Sequence, residues 1–121
     1  MTDHGTITIA GTVPSKSNCY KIVSIAGHGS LAKTDKLKKY EQAFYLQIGR
    51  YRDLNIKGLF ELYADVYYTS NTHDLDNSLK IILDCLQKTK TIKNDNKCVK
   101  LIVNKFVDKA NPRLKLKIIE L

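Results

Sequence analysis

Between Gly58 and Thr69 the chain reads LFELYADVYY, and from Phe60 its residue types alternate. Phe60, Leu62, Ala64, Val66 and Tyr68 fall on one parity; Glu61, Tyr63 and Asp65 fall on the other. A period of two is the signature of a strand, because successive side chains point to opposite faces of a sheet. The apolar parity therefore has to cover a core. A few residues on, the period changes: in DNSLKIILDCLQKT, Leu79, Ile82, Leu83 and Leu86 recur at helical spacing. A strand leading into an amphipathic helix restricts the fold to architectures that lay helices on a sheet.

The flanking segments fill in that architecture. TITIAG alternates and predicts an opening strand ended by Gly11 and Pro14, and CYKIVSIA predicts a second. Gly27 and Gly29 mark a turn at a hairpin tip, and a lone Gly-x-Gly is too weak to indicate a phosphate loop. From Asp35 to about Arg52, Leu37, Tyr40, Phe44, Ile48 and Tyr51 stand three or four apart, which predicts a helix capped by Thr34 or Asp35. KCVKLIVNKFV and RLKLKIIEL each alternate, and DKANP between them predicts a closing hairpin. The expected fold class is α+β, a mixed β-sheet with two packed helices in the order β-β-α-β-α-β-β. No repeat or linker divides the 121 residues, so residues 1–121 are expected to form one domain.

Charge narrows the choice of partner. Twenty Lys and Arg against twelve Asp and Glu leave a net charge of +8, which favours polyanions. Only Arg50, Arg52 and Arg113 are arginines, so phosphate contact by lysine is better supported than reading of base edges. The candidate DNA-contacting bases are Lys16, Lys33, Lys36, Lys88, Lys90, Lys93 and Lys97. No apolar run approaches the roughly 18 residues that would span a bilayer, and the start MTDHGTITIAG lacks the basic head of a targeting segment. The expectation is a cytoplasmic protein without a membrane partner. Cys19, Cys85 and Cys98 are odd in number and widely spaced, so they are expected as reduced thiols, with Cys85 filling the core.

Against this basic background HDLDNSLK, residues 73 to 80, gathers acids. In an extended stretch Asp74 and Asp76 would share a face with Cα atoms about 6.5–7 Å apart, so that both carboxylates could meet one cation. Asp95, in TIKNDNK, leaves the second helix and could supply a third carboxylate. Lys80 lies one helical turn after Asp76, positioned to orient an aspartate or to stabilise a phosphate. An acidic centre in a basic field is what a metal-dependent nuclease requires. From spacing alone, plainer accounts stand beside that one. Asp76 can be a helix N-cap, Asp76 with Lys80 or Asp84 with Lys88 can be surface pairs, Asp95 can be a turn residue, and His73 reads as a loop residue.

DLDNSLKIILDCLQ followed by IKNDNKCVKLIVNK resembles the RusA family of Holliday-junction resolvases, whose hallmark is Asp-Leu-Asp-Asn, a lysine on the following helix and an aspartate before a late strand. GTVPSKSN is similar to that family's opening strand and Pro-Ser turn, and PRLKLKII to its final strand. The resemblance implies a homodimeric Mg²⁺-dependent endonuclease, with Mn²⁺ able to substitute, that cuts four-way DNA junctions by paired symmetric nicks in recombination and repair, in a bacterial or phage setting. It implies Asp74, Asp76 and Asp95 as metal ligands and Lys80 as the helper at the phosphate. Asn94 and Ile92-Lys93 depart from the family's paired acids and preceding aromatic. The alternatives are a non-catalytic basic nucleic-acid-binding module, or a metal nuclease acting on other branched DNA.

Overall fold

The structure, a computed structural model, describes residues 1–15, 19–25 and 27–121. Lys16 and Asn18, within the opening Pro-Ser segment, lie outside the described residues.

The alternating stretch forms β4 of the chain, Phe60–Tyr68, and sits inside a four-stranded sheet with β1 (Thr2–Ala10), β5 (Cys98–Val107) and β6 (Arg113–Glu120). The order is β1-β6-β4-β5; β4 runs parallel to β5 and antiparallel to β6, and β1 runs antiparallel to β6. Phe60, Leu62, Ala64, Val66 and Tyr68 are all buried, as the period of two requires. They meet Ile7 and Ile9 of β1, Leu114, Leu116 and Ile118 of β6, and the apolar sides of two helices, α1 (Asp35–Gln47) and α2 (Leu75–Lys88). Both helices therefore cover one face of the sheet and leave the other open.

Helix α1 starts where expected: Thr34 Oγ1 accepts the Leu37 N–H at 3.3 Å, and Leu37, Tyr40 and Phe44 are buried. The α-helix ends at Gln47 and a short 3-10 turn, Gly49–Tyr51, carries Ile48 and Tyr51 into the same core. In α2 the buried stripe is Ser78, Ile81, Ile82, Cys85 and Leu86. It is rotated from the expected one: Ile82 and Leu86 are central, whereas Leu79 and Leu83 lie only half-buried. Lys90, just past Thr89, takes the left-handed conformation (φ 56°) that ends the helix.

Two expectations are corrected. The glycine turn is a hairpin tip as expected, but it joins β2 (Tyr20–Ile25) to a strand beyond the expected order, β3 (His28–Lys33), and the pair forms a separate two-stranded sheet. The last two strands do not form a hairpin at all. The α2 crossover returns the chain parallel to β4 on one side, and β6 then crosses to the other side, between β4 and β1. The intervening loop is folded on Asp108, which accepts the Asn111 N–H at 3.2 Å and pairs with Arg113 at 2.8 Å. No described helix is long and apolar enough to cross a membrane.

Candidate active site

The segment from the end of β4 to the start of α2 is fixed at three places. Tyr68, the last residue of β4, donates its buried hydroxyl to Ser78 Oγ of α2 at 2.7 Å and lies 3.4 Å from the Asp74 carbonyl. The His73 ring lies flat on Tyr68, 4.7 Å between centroids and 4° from parallel. From β5, the Lys105 ammonium donates to the carbonyls of His73 (2.7 Å) and Asn71 (3.0 Å). His73 thus holds the loop, as a loop residue should, and the pair of aspartates emerges from a braced turn.

Asp74 occupies the N-cap position of α2, with extended backbone (φ −100°, ψ 131°), yet its side chain caps nothing. Its recorded partner is Asn77 Nδ2, 3.4 Å from Oδ2. Asp76 lies one step inside the helix, in its first turn, and both aspartates are exposed. This corrects the expected local geometry, since the helix begins at Leu75 and the two aspartates straddle its start rather than sharing a strand face. It also moves the cap position from Asp76 to Asp74. Both now stand at the helix terminus, whose N–H groups and dipole favour negative charge.

Lys80 does not pair with Asp76 among the described contacts. Its ammonium lies between Asp84 (3.3 Å) and Asp95 (3.6 Å). Hydrogen bonding and charge from Asp84, then charge from Asp95, raise the Lys80 pKa, so it stays cationic throughout the neutral range. Asp95 opens a short 3-10 turn, Asp95–Lys97, before β5, and its N–H donates to Gln87 Oε1 of α2 at 3.0 Å. The structure therefore brings Asp95 to Lys80 and sets Asp74 and Asp76 around the first turn of the same helix. Among the described residues no group of three or more His, Cys, Asp and Glu side chains is gathered closely enough to hold an ion.

The basic residues divide in two. Lys33 and Lys88 share Glu41: Lys33 donates to both of its oxygens at 3.1 Å and Lys88 pairs with Oε2, in place of the expected Asp84–Lys88 pair. Lys36, Lys90, Lys93 and Lys97 are exposed. By chemistry the acidic donors suit a hard divalent cation, which takes carboxylate oxygens and keeps several waters. The Asp74 carboxylate, which stands at a helix N-cap without capping an N–H and accepts a 3.4 Å hydrogen bond from Asn77, is the observation that supports the fit.

Sequence reasoning missed Tyr68, Ser78, Lys105 and Gln87, the residues that brace the acids. A serine on the buried side of an amphipathic helix and a lysine on the helix-facing parity of β5 were the available signals.

A family model described as Endodeoxyribonuclease RusA matches residues 13–119. No curated protein matches the chain.

Proposed function

We propose, from the premise that this chain belongs to the RusA endodeoxyribonuclease family, that it is a Mg²⁺-dependent enzyme that resolves four-way DNA junctions by paired symmetric nicks. The observation that carries the reading is the pair Asp74 and Asp76 about the N-terminus of α2, with Asp74 making no cap hydrogen bond. A carboxylate in that position ordinarily accepts an N–H of the first turn; Asp74 instead accepts a long 3.4 Å hydrogen bond from the Asn77 amide, which a cation can displace.

Asp74, Asp76 and Asp95 would hold the ion, and Mn²⁺ would serve in its place. Bound there, a divalent cation supplies an acidified water and offsets charge on the attacked phosphate. The chain's own groups do the rest. Tyr68, His73 and Lys105 fix the turn that presents Asp74, so that little ordering remains to be done when the phosphate arrives. Lys80, cationic at neutral pH, pairs with Asp95 and can donate to a non-bridging phosphate oxygen. Lys36, Lys93 and Lys97 add phosphate contacts that gather the polyanion.

Two incisions related by a twofold axis are most simply made by a homodimer. The reading places residues 1–121 in one domain acting on recombining or damaged DNA in the cytoplasm of a bacterium or of a cell infected by a phage. A second reading, a basic module that binds branched DNA without cutting it, draws on the separation of Asp95 from the Asp74–Asp76 pair. The two part company on a labelled four-way junction and a duplex of equal length, each incubated with Mg²⁺ or with EDTA. The nuclease cuts the junction symmetrically in Mg²⁺ only and leaves the duplex whole. Binding without cutting under every metal condition refutes it.

A further inference from the structure

Strand β5 is an edge that the chain leaves open. Its ten residues, Cys98–Val107, pair with β4 on one side, and among the described residues no strand follows on the other. Such an edge presents a row of unpaired backbone N–H and C=O groups that another strand can complete. Proteins that keep an edge bare guard it with proline or with charged side chains, and β5 has no proline. Its polar side chains are drawn back to their own chain instead. Lys105 donates to the carbonyls of Asn71 and His73, Asn104 Nδ2 donates to Asp65 of β4 at 3.0 Å, and the Lys100 ammonium stands 5.8 Å from the Tyr63 ring of β4. What is left outward is apolar on both faces of the strand: Leu101, beside Leu62, is 40% exposed, and Ile102, beside Tyr63, is 41% exposed.

We propose that β5 is the interface of the homodimer, pairing antiparallel with β5 of a second copy about a twofold axis through Val103, so that two four-stranded sheets join into one of eight strands. The inference names the surface of the homodimer proposed above and rests on that reading. Unpaired main-chain groups call for a strand, and the residues of β5 complement themselves. With Val103 opposite its own copy, Ile102 faces Asn104, Leu101 faces Lys105 and Lys100 faces Phe106. No lysine therefore meets a lysine, and apolar residues gather about the axis. An axis normal to the sheet carries both helix layers to the same side. Each acidic turn follows Tyr68, which lies beside Val107 at the end of β5, so the two turns come to opposite ends of the joined strands, roughly 27 Å apart along the strand direction.

The test is analytical sedimentation of native protein, Ile102→Lys, Ile102→Glu, Leu101→Lys and Lys117→Gln, with circular dichroism to confirm folding. Ile102 stands beside the axis, so either of its variants brings two like charges together and should weaken dimerisation roughly tenfold or more. An equimolar mixture of the two should recover the dimer, because a lysine then meets a glutamate. Leu101 lies on the other face of β5, and only edge pairing brings both positions to the interface, so Leu101→Lys should weaken the dimer as well. Lys117→Gln, on the open face of β6, should leave it unchanged. Should Leu101→Lys fail to fold, the two Ile102 variants and their mixture decide. A native dimer that every β5 variant leaves intact overturns the edge and leaves the homodimer standing. So does a dimer that only Lys117→Gln disrupts, since the copies would then meet face to face. Native protein that stays monomeric overturns edge and homodimer together, and junction cutting in Mg²⁺, followed in parallel, shows whether the resolvase reading falls with them.

Discussion

Replacing Tyr68 by phenylalanine removes one oxygen from the brace beneath the acidic turn and leaves the ring that carries His73. The lost bond is short, 2.7 Å to Ser78 Oγ, and Ser78 is only 1% exposed, so the serine hydroxyl is left without solvent to replace its partner. An ordinary hydrogen bond contributes about 1 kcal/mol net, and stranding a buried polar group costs about 1–3 kcal/mol. A loss of about 2 kcal/mol corresponds to a fall in Tm of roughly 8 °C for a chain of this length, taking about 2.1 cal/mol/K of unfolding entropy per residue. Ser78→Ala alone should cost less, because the Tyr68 hydroxyl keeps the Asp74 carbonyl within 3.4 Å as an alternative acceptor. The double variant should then be more stable than the sum of the single losses predicts, with a coupling of about 1 kcal/mol measured by urea unfolding. Junction cleavage by Tyr68→Phe, assayed well below its Tm, should fall severalfold, because the start of α2 gains freedom while Asp74 and Asp76 remain. Additive single losses, or a variant that melts like the native protein, would refute the idea that this bond ties α2 to β4.

Three further outcomes follow from particular contacts. Lys105→Met should leave Tm within a few degrees of native but slow junction cleavage severalfold, since among the described residues the ammonium donates to the carbonyls of Asn71 and His73; unchanged cleavage would show that the turn holds its shape unaided. Lys90→Gly should raise stability by about 1 kcal/mol, as glycine adopts a positive φ without the cost a side chain incurs, and a urea midpoint that falls would contradict this. Burial pushes the Cys85 thiol up to about 12 and also raises Cys19 and Cys98, so none should react readily with iodoacetamide at neutral pH. Raising the pH should label the half-buried Cys98 first, and mass spectrometry showing Cys85 modified ahead of it in folded protein would be the contrary result.

The parts of this fold that could be read from sequence are those in which one element buries one face. The β4 alternation locates its own core side because each apolar residue from Phe60 to Tyr68 packs inward. Strand adjacency was not legible in the same way. KCVKLIVNKFV and RLKLKIIEL alternate whether or not they pair with each other, and it is the parallel return through α2 that places β4 between them. Strand β5 even reads as more buried than it is, because it lies at the sheet edge with Val99, Leu101, Ile102, Phe106 and Val107 exposed. The choice of acids was legible as a pattern, but their geometry depended on where the helix starts. A boundary earlier by about one or two residues, within the usual uncertainty, turns a shared strand face into a pair about a helix terminus. The partner of Lys80 was likewise undecided by spacing, since Asp76 and Asp84 both lie one turn away and Asp95 is brought in only by the connection to β5.

The account turns on three carboxylates serving one divalent ion at a DNA phosphate. The most direct measurement compares Asp74→Asn, Asp76→Asn and Asp95→Asn with native protein for cleavage of a four-way junction in Mg²⁺, with junction binding followed in the same samples. The account predicts that each variant loses cleavage while binding is kept or strengthened, because each substitution removes a negative charge from the path of the phosphate. Full cleavage by any one of them would remove that residue from the metal site, and full cleavage by all three would contradict the account.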